Sequence, residues 1–171
     1  MQVQGTLEEK LPGYTPWEFV QFDESVMEHS VAVQLQASKE KVYQMLLDRV
    51  LPTKCLSIYD EHHVYEDDED VCDYCLYSRW AKLPALQLMF TAKRYEKRPS
   101  ECVKFASLVG MPVVGSFEIK DLGGGAVELQ VDVRYQIPTL LKTYVGRMPV
   151  WANVDELLDD ALAKFKDLAE K

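Results

Sequence analysis

The chain has 171 residues, 47% of them apolar and 27% charged, with a net charge of −9 at pH 7. That length suits one domain with a sizeable core, and the balance is that of a soluble globular protein. The acidic total argues against a reader of nucleic-acid backbones, which needs a basic face, and against attachment to anionic lipid.

No run approaches the roughly 18 apolar residues of a membrane span, so an integral membrane protein is not expected. Met1–Lys10 has neither the basic nor the apolar region of a signal peptide. The four cysteines are Cys55, Cys72, Cys75 and Cys102. Nothing else resembles a small disulfide-stapled fold, so they are expected to be reduced thiols in an intracellular compartment. That means the cytoplasm or, had a transit peptide been removed, a plastid stroma or mitochondrial matrix.

Residues 1–28 are expected to form an N-terminal arm, polar through Pro16 and then carrying Trp17, Phe19, Val20 and Phe22, which can pack on the body. The domain proper is expected over 29–171. Val31, Val33 and Leu35 alternate with polar or small residues and predict a strand. Ser38 is placed to cap a helix in which Val42, Met45, Leu46 and Val50 recur at helical spacing. Pro52 breaks or kinks that helix, with a short second turn over Leu51–Leu56.

Six strands are then predicted, at 57–66, 71–82, 86–97, 101–109, 113–120 and 126–137. The breaks between them have turn compositions, such as Arg98-Pro99-Ser100 and Gly123-Gly124-Gly125. Connections this short favour an antiparallel meander. In the last strand Val127, Leu129, Val131, Val133, Tyr135 and Ile137 form one apolar phase, ended by Pro138. A shorter helical stretch, Thr139–Val145, precedes Gly146. Val150, Val154, Leu157, Leu158, Ala161, Leu162, Phe165 and Leu168 then share one face of a long terminal helix. Pro149 suits its start, and acids lead and lysines follow along it, matching the helix dipole.

Three segments carry a family likeness: Val33–Tyr43 (strand, turn, helix), Gly115–Ile119, and the strand, proline and helix from Val127 to Leu168. In this order the chain resembles the START-like (SRPBCC) superfamily, the polyketide cyclase/dehydrase and lipid-transport group, over about residues 29–170. The resemblance implies an α+β helix-grip fold: a curved antiparallel sheet of about seven strands around a long C-terminal helix. One or two short helices would follow the first strand, and a hydrophobic cavity would lie between sheet and helix. The arm departs from the common core.

Cys72 and Cys75, with His62 and His63 upstream, have the spacing of a zinc knuckle. They fall in a predicted strand, where positions three apart face opposite ways, so neither metal nor another cofactor is expected. Asp60–Asp73 carries eight carboxylates and no Lys or Arg, but lacks the glycine and terminal Glu of a calcium loop. In a meander, the turns at Glu66–Asp70 and Lys97–Ser100 fall at one end of the sheet. Lys93, Arg94, Lys97 and Arg98 would then neutralise part of the acidic run, or the two clusters would form a docking surface.

Catalysis finds little support: there is no Gly-x-Ser-x-Gly elbow, and no histidine is well placed as a base. The polar side chains that can be aimed inward are Tyr74, Ser78, Tyr135, Arg79 and Arg147. Trp80, Phe90, Phe105, Phe117 and Tyr135 occupy the apolar phases of different strands, and Met148 and Trp151 begin the last helix. Together with Tyr74 and Val131 they are the expected ligand-binding set.

The expected function is non-catalytic binding or transport of a lipid, isoprenoid quinone, pigment or polyketide-like molecule. One alternative is an interaction module or assembly factor, with a protein partner on the arm or the charged turns. Another is a cyclase/aromatase-type enzyme. Ligand entry is expected at the Tyr135–Trp151 junction, with the charged turns elsewhere, serving solubility or docking.

Overall fold

The computed structural model describes residues 22, 26–56, 59–64, 68–78, 86–136 and 154–171. Seven strands form a single antiparallel sheet: β1 (Met27–Leu35), β2 (Tyr59–Val64), β3 (Val71–Ser78), β4 (Leu86–Arg98), β5 (Cys102–Gly110), β6 (Val113–Gly123) and β7 (Ala126–Tyr135). Two short helices, α1 (Lys39–Leu47) and α2 (Leu51–Cys55), lie between β1 and β2, and α3 (Val154–Ala169) ends the chain. Thr139–Val145, Gly146 and Pro149 lie outside the described residues, as do Trp17, Phe19 and Val20 of the arm. Phe22 is described, and its ring lies 5.3 Å from the Arg134 guanidinium carbon on β7.

The spatial order is β1-β7-β6-β5-β4-β3-β2. From β2 to β7 the chain is the expected meander. The first strand joins beside the last, in unbroken register from Met27 opposite Tyr135 to Leu35 opposite Val127. Because side chains alternate along a strand, this pairing puts Val31, Val33 and Leu35 on the same face as Leu129, Val131 and Val133. That face meets α3. Leu35, Val42, Leu129, Val127, Leu162, Phe165 and Ala169 are buried together, and the end of α3 is tied to β1 by Lys166 Nζ donating to the Gln34 carbonyl (2.8 Å).

The local signals act as read. Ser38 accepts from the Lys41 amide at 3.2 Å and caps α1. Pro52 starts α2, in whose first turn its missing N–H costs nothing, and does not kink a continuing helix. At the β6–β7 turn Gly123, Gly124 and Gly125 all have positive φ (79°, 64° and 81°), a backbone that residues with a Cβ avoid.

Curvature comes from irregular pairing. Register shifts interrupt β4 against β5 at Thr91/Ala92 and at Arg94/Glu96, and β6 against β7 near Asp121. Each bends its strand and increases local twist. Gly115 adds a close approach on the concave face. It lies opposite Phe105, whose ring folds over it, so that a Cβ at 115 would collide with the ring and stand 3.1 Å from the Asp132 carbonyl.

Leu129 is 0% exposed at the contact of sheet and helix. Leu129→Ala is expected to lower stability by about 2–5 kcal/mol, measured as the shift in urea midpoint with an unchanged denaturant slope.

Candidate functional site

Between the concave face and α3 lies a cavity of about 280 Å³. Alternation along the strands selects its walls: Cys72 and Tyr74 from β3, Phe90, Ala92 and Arg94 from β4, Val103 and Phe105 from β5, Val113 and Phe117 from β6, and Leu129, Val131, Val133 and Tyr135 from β7. Leu46, Leu51 and Cys55 close one side, and Leu158, Ala161, Leu162 and Phe165 of α3 close another.

Six of the nine residues expected to bind ligand meet on this surface: Tyr74, Phe90, Phe105, Phe117, Val131 and Tyr135. Trp80, Met148 and Trp151 lie outside the described residues, as do Arg79 and Arg147, while Ser78 is the last residue of β3. Two aromatic pairs organise the wall. Tyr74 stacks on Phe90 with centroids 5.0 Å apart and planes 9° apart, and Phe105 and Phe117 sit tilted at 5.6 Å. Such offset or tilted pairs are favourable beyond the area they bury. At the end formed by Tyr135, its ring stacks on His29 at 5.7 Å and its hydroxyl lies 3.3 Å from the His29 Nε2.

Two findings concern the charges. The charged turns were expected to serve solubility or docking, away from the Tyr135–Trp151 junction; Asp70 and Arg94 also line the cavity, together with Asp48, Arg49 and Lys93. Phe90, Ala92 and Arg94 share one phase of β4, so Arg94 continues the inward face beyond the first register shift. Its Nη1 donates to the Leu47 carbonyl at 2.9 Å and its Nη2 to the Glu69 carbonyl at 2.7 Å. Its Nε is 3.2 Å from an Asp70 carboxylate oxygen. One side chain thereby fastens the end of α1 to the β2–β3 turn. Lys93 pairs with Asp68 at 3.1 Å and Lys97 with Asp70, so three of the four expected cations do meet the acidic run. Arg98 does not: it lies by Glu96 (3.0 Å) and Glu101 (3.5 Å), because its own strand and turn supply nearer carboxylates.

Alternation could have found Arg94, since it is two residues beyond Ala92. Cys55 and Cys72 were not selected as lining residues either. Cys72 shares the phase of Tyr74, but Cys55 enters from a helix whose orientation only packing decides.

Burial pushes the Cys55 and Cys72 thiols above the usual range, against the pull of neighbouring cations. Burial also pushes the Tyr74 phenol up to about 12. These groups are neutral at pH 7. Burial alone would raise the Asp68 carboxyl, but the Asp70 amide, Lys93 and Lys97 outweigh it and hold that carboxyl below its ordinary value. Among the described residues no group of three or more His, Cys, Asp or Glu side chains converges to hold a metal ion, and no helix is long and apolar enough to cross a membrane.

Solved structures share this arrangement. A conserved protein from Geobacillus kaustophilus superposes with a TM-score of 0.65 at 13% identity, over 84% of this chain and 95% of that one. The Zhui aromatase/cyclase from Streptomyces superposes at 0.64 and 13% identity, over 84% and 93%. A START superfamily protein from Mycobacterium smegmatis superposes at 0.57 and 18%, over 82% and 97%. The fold is START-like. No protein-family model and no curated protein matches the sequence, so the START-like assignment rests on architecture. At these identities the likeness concerns the fold alone: sheet, gripped helix and the space between them.

Tyr74 gives the site a titration of its own. Below pH 10 its phenol is neutral in both folded and unfolded chains. Between pH 10 and about 12 only the unfolded chain ionises, so folding stability falls as pH rises. Tyr74→Phe should remove about 2 kcal/mol of that alkaline loss, measured as urea midpoints of both proteins from pH 9 to 12. Tyr95, whose phenol burial also pushes up to about 12, remains in both and cancels in the comparison.

Proposed function

We propose that the protein binds or carries an apolar small molecule in this cavity without transforming it. The observation that carries the reading is the convergence of Tyr74, Phe90, Phe105, Phe117 and Tyr135, from five different strands, on one cavity of about 280 Å³. Ligand cavities span about 300–1,000 Å³, so this one lies near the small end. That favours a compact ring system or short chain over a long-chain lipid. Removing apolar ligand surface from water at about 25 cal/mol per Å² supplies the drive, and aromatic walls favour a flat molecule.

One observation supports a second reading, a cyclase of polyketide-like substrates: the similar aromatase/cyclase named above. It is the weaker reading, because acid–base catalysis works best with groups that titrate near the operating pH. Tyr74, Cys55 and Cys72 are all shifted away from neutrality.

Organic extraction of the purified protein followed by mass spectrometry should release a stoichiometric apolar compound, or the empty protein should bind the neutral dye Nile red. Val131 is 4% exposed at the centre of the β7 wall. Val131→Trp should reduce dye binding at least tenfold by filling the space, at a cost in stability of about 1–3 kcal/mol. Charge reversal at exposed Lys120 should leave binding unchanged. A clean extract together with no dye binding would refute the carrier reading.

A further inference from the structure

The outer face of the sheet is not uniformly polar. Along β6 the side chains opposite in phase to Val113 and Phe117 point away from the cavity: Val114, Ser116, Glu118 and Lys120. Lys120 is exposed, and Ser116 and Glu118 are half-buried, but Val114 is only 6% exposed. Its partner across the ladder, Ala106 on β5, is 0% exposed. Neither lines the cavity, and neither belongs to the core cluster between sheet and α3. An antiparallel sheet packed on one side alone turns polar residues outward on the other. A buried valine and alanine on the outward phase therefore need a cover of their own.

Their neighbours point to what that cover is. Val114 is paired with Arg134 on β7, and Arg134 with Glu28 on β1. Arg134 Nε, itself buried, is 2.8 Å from a Glu28 carboxylate oxygen, and the ring of Phe22 lies 5.3 Å from the guanidinium carbon. Phe22 thus stands on the outer face one strand in from the β1 edge, over the ladder neighbour of Val114. We infer that the segment just before it, Trp17–Gln21, continues as a strap across this face and covers Val114 and Ala106. With strands about 4.8 Å apart and an extended chain advancing about 3.3 Å per residue, about three residues reach from β7 over β6 to β5. Trp17, Phe19 and Val20 supply apolar side chains over that span. Val114 precedes Gly115 and Ala106 follows Phe105, so the strap braces from behind the hairpin whose inner face carries Phe105 and Phe117. An arm held this way is part of the body rather than a free handle for a protein partner. This face lies opposite the cavity, so its cover does not depend on what the cavity binds.

NMR of the full chain, methyl-labelled at alanine, leucine and valine, tests the strap. The Val114 and Ala106 methyls should show nuclear Overhauser contacts to Trp17, Phe19 or Val20. A soluble gadolinium chelate should broaden the Val114 methyls little. Leu129, 0% exposed, gives the buried reference, and Val109, 61% exposed, the solvent-facing one. Trp17→Ser, Phe19→Ser and Val20→Ser together should move Val114 from the Leu129 level of broadening toward that of Val109, with Leu129 itself unchanged. If that variant fails to fold, the contacts in the unaltered chain decide alone. Absence of contacts from residues 17–21 to both methyls would overturn the strap, as would protection of Val114 that survives the triple substitution. Protection that appears only as protein concentration rises, with contacts between differently labelled copies, would assign this face to a second copy of the chain and overturn the strap as well.

Discussion

Pairing of the first strand with the last is the constraint from which the rest of the structure follows. β1 and β7 are joined over nine register pairs without a slip, and a shift of one residue would turn every inward side chain of β1 toward solvent. Once that register is set, Leu35 stands beside Val127 and Leu129, and the apolar face becomes continuous from β1 to β3. α3 has one apolar stripe and must bury it against such a face. Its contact with β1, fastened by Lys166 on the Gln34 carbonyl, holds the helix along one side of the curved sheet. The cavity is the space left between helix and sheet, with the short helices at one side.

The cavity thus has two kinds of boundary. Its walls are made by side-chain alternation and packing, and are apolar. Its charged end is made by long-range ties: Arg94 reaches backbone carbonyls on α1 and on the β2–β3 turn, while Lys93 and Lys97 hold Asp68 and Asp70. Exposed pairs contribute little to stability. Arg94 and Asp70 are largely withdrawn from solvent, and their role is to position three segments of chain against one another. A site in which rigid apolar walls meet a few fixed polar groups is the usual arrangement for small-molecule recognition.

Much of this could be read from the residues because alternation is a local property. The apolar phase Val127, Leu129, Val131, Val133 and Tyr135 identifies both a strand and the face it buries. Phe90, Phe105 and Phe117 follow by the same rule on three further strands. The charged end was harder to read. Alternation places Arg94 on the inward phase two residues beyond Ala92, but nothing local gives its acceptors, because Leu47 and Glu69 lie 47 and 25 residues away in sequence and arrive only through folding. The register shifts that curve β4 against β5 are equally invisible, since an extra residue in one strand is defined by its partner. Arg98 was misassigned for the converse reason: its nearest carboxylates, Glu96 and Glu101, are local, and proximity prevailed over the more distant acidic run.

Gly115 has a consequence that reaches beyond the sheet. The ring of Phe105 rests where a methyl group would otherwise be, on the backbone of the neighbouring strand. The interior space of this protein is therefore governed partly by an atom that is missing, and one added carbon would lift an entire aromatic ring off its seat. The size of the interior space is thus linked to a single hydrogen on a backbone that does not itself line it. A substitution at this position changes the shape of the interior without altering any residue that lines it.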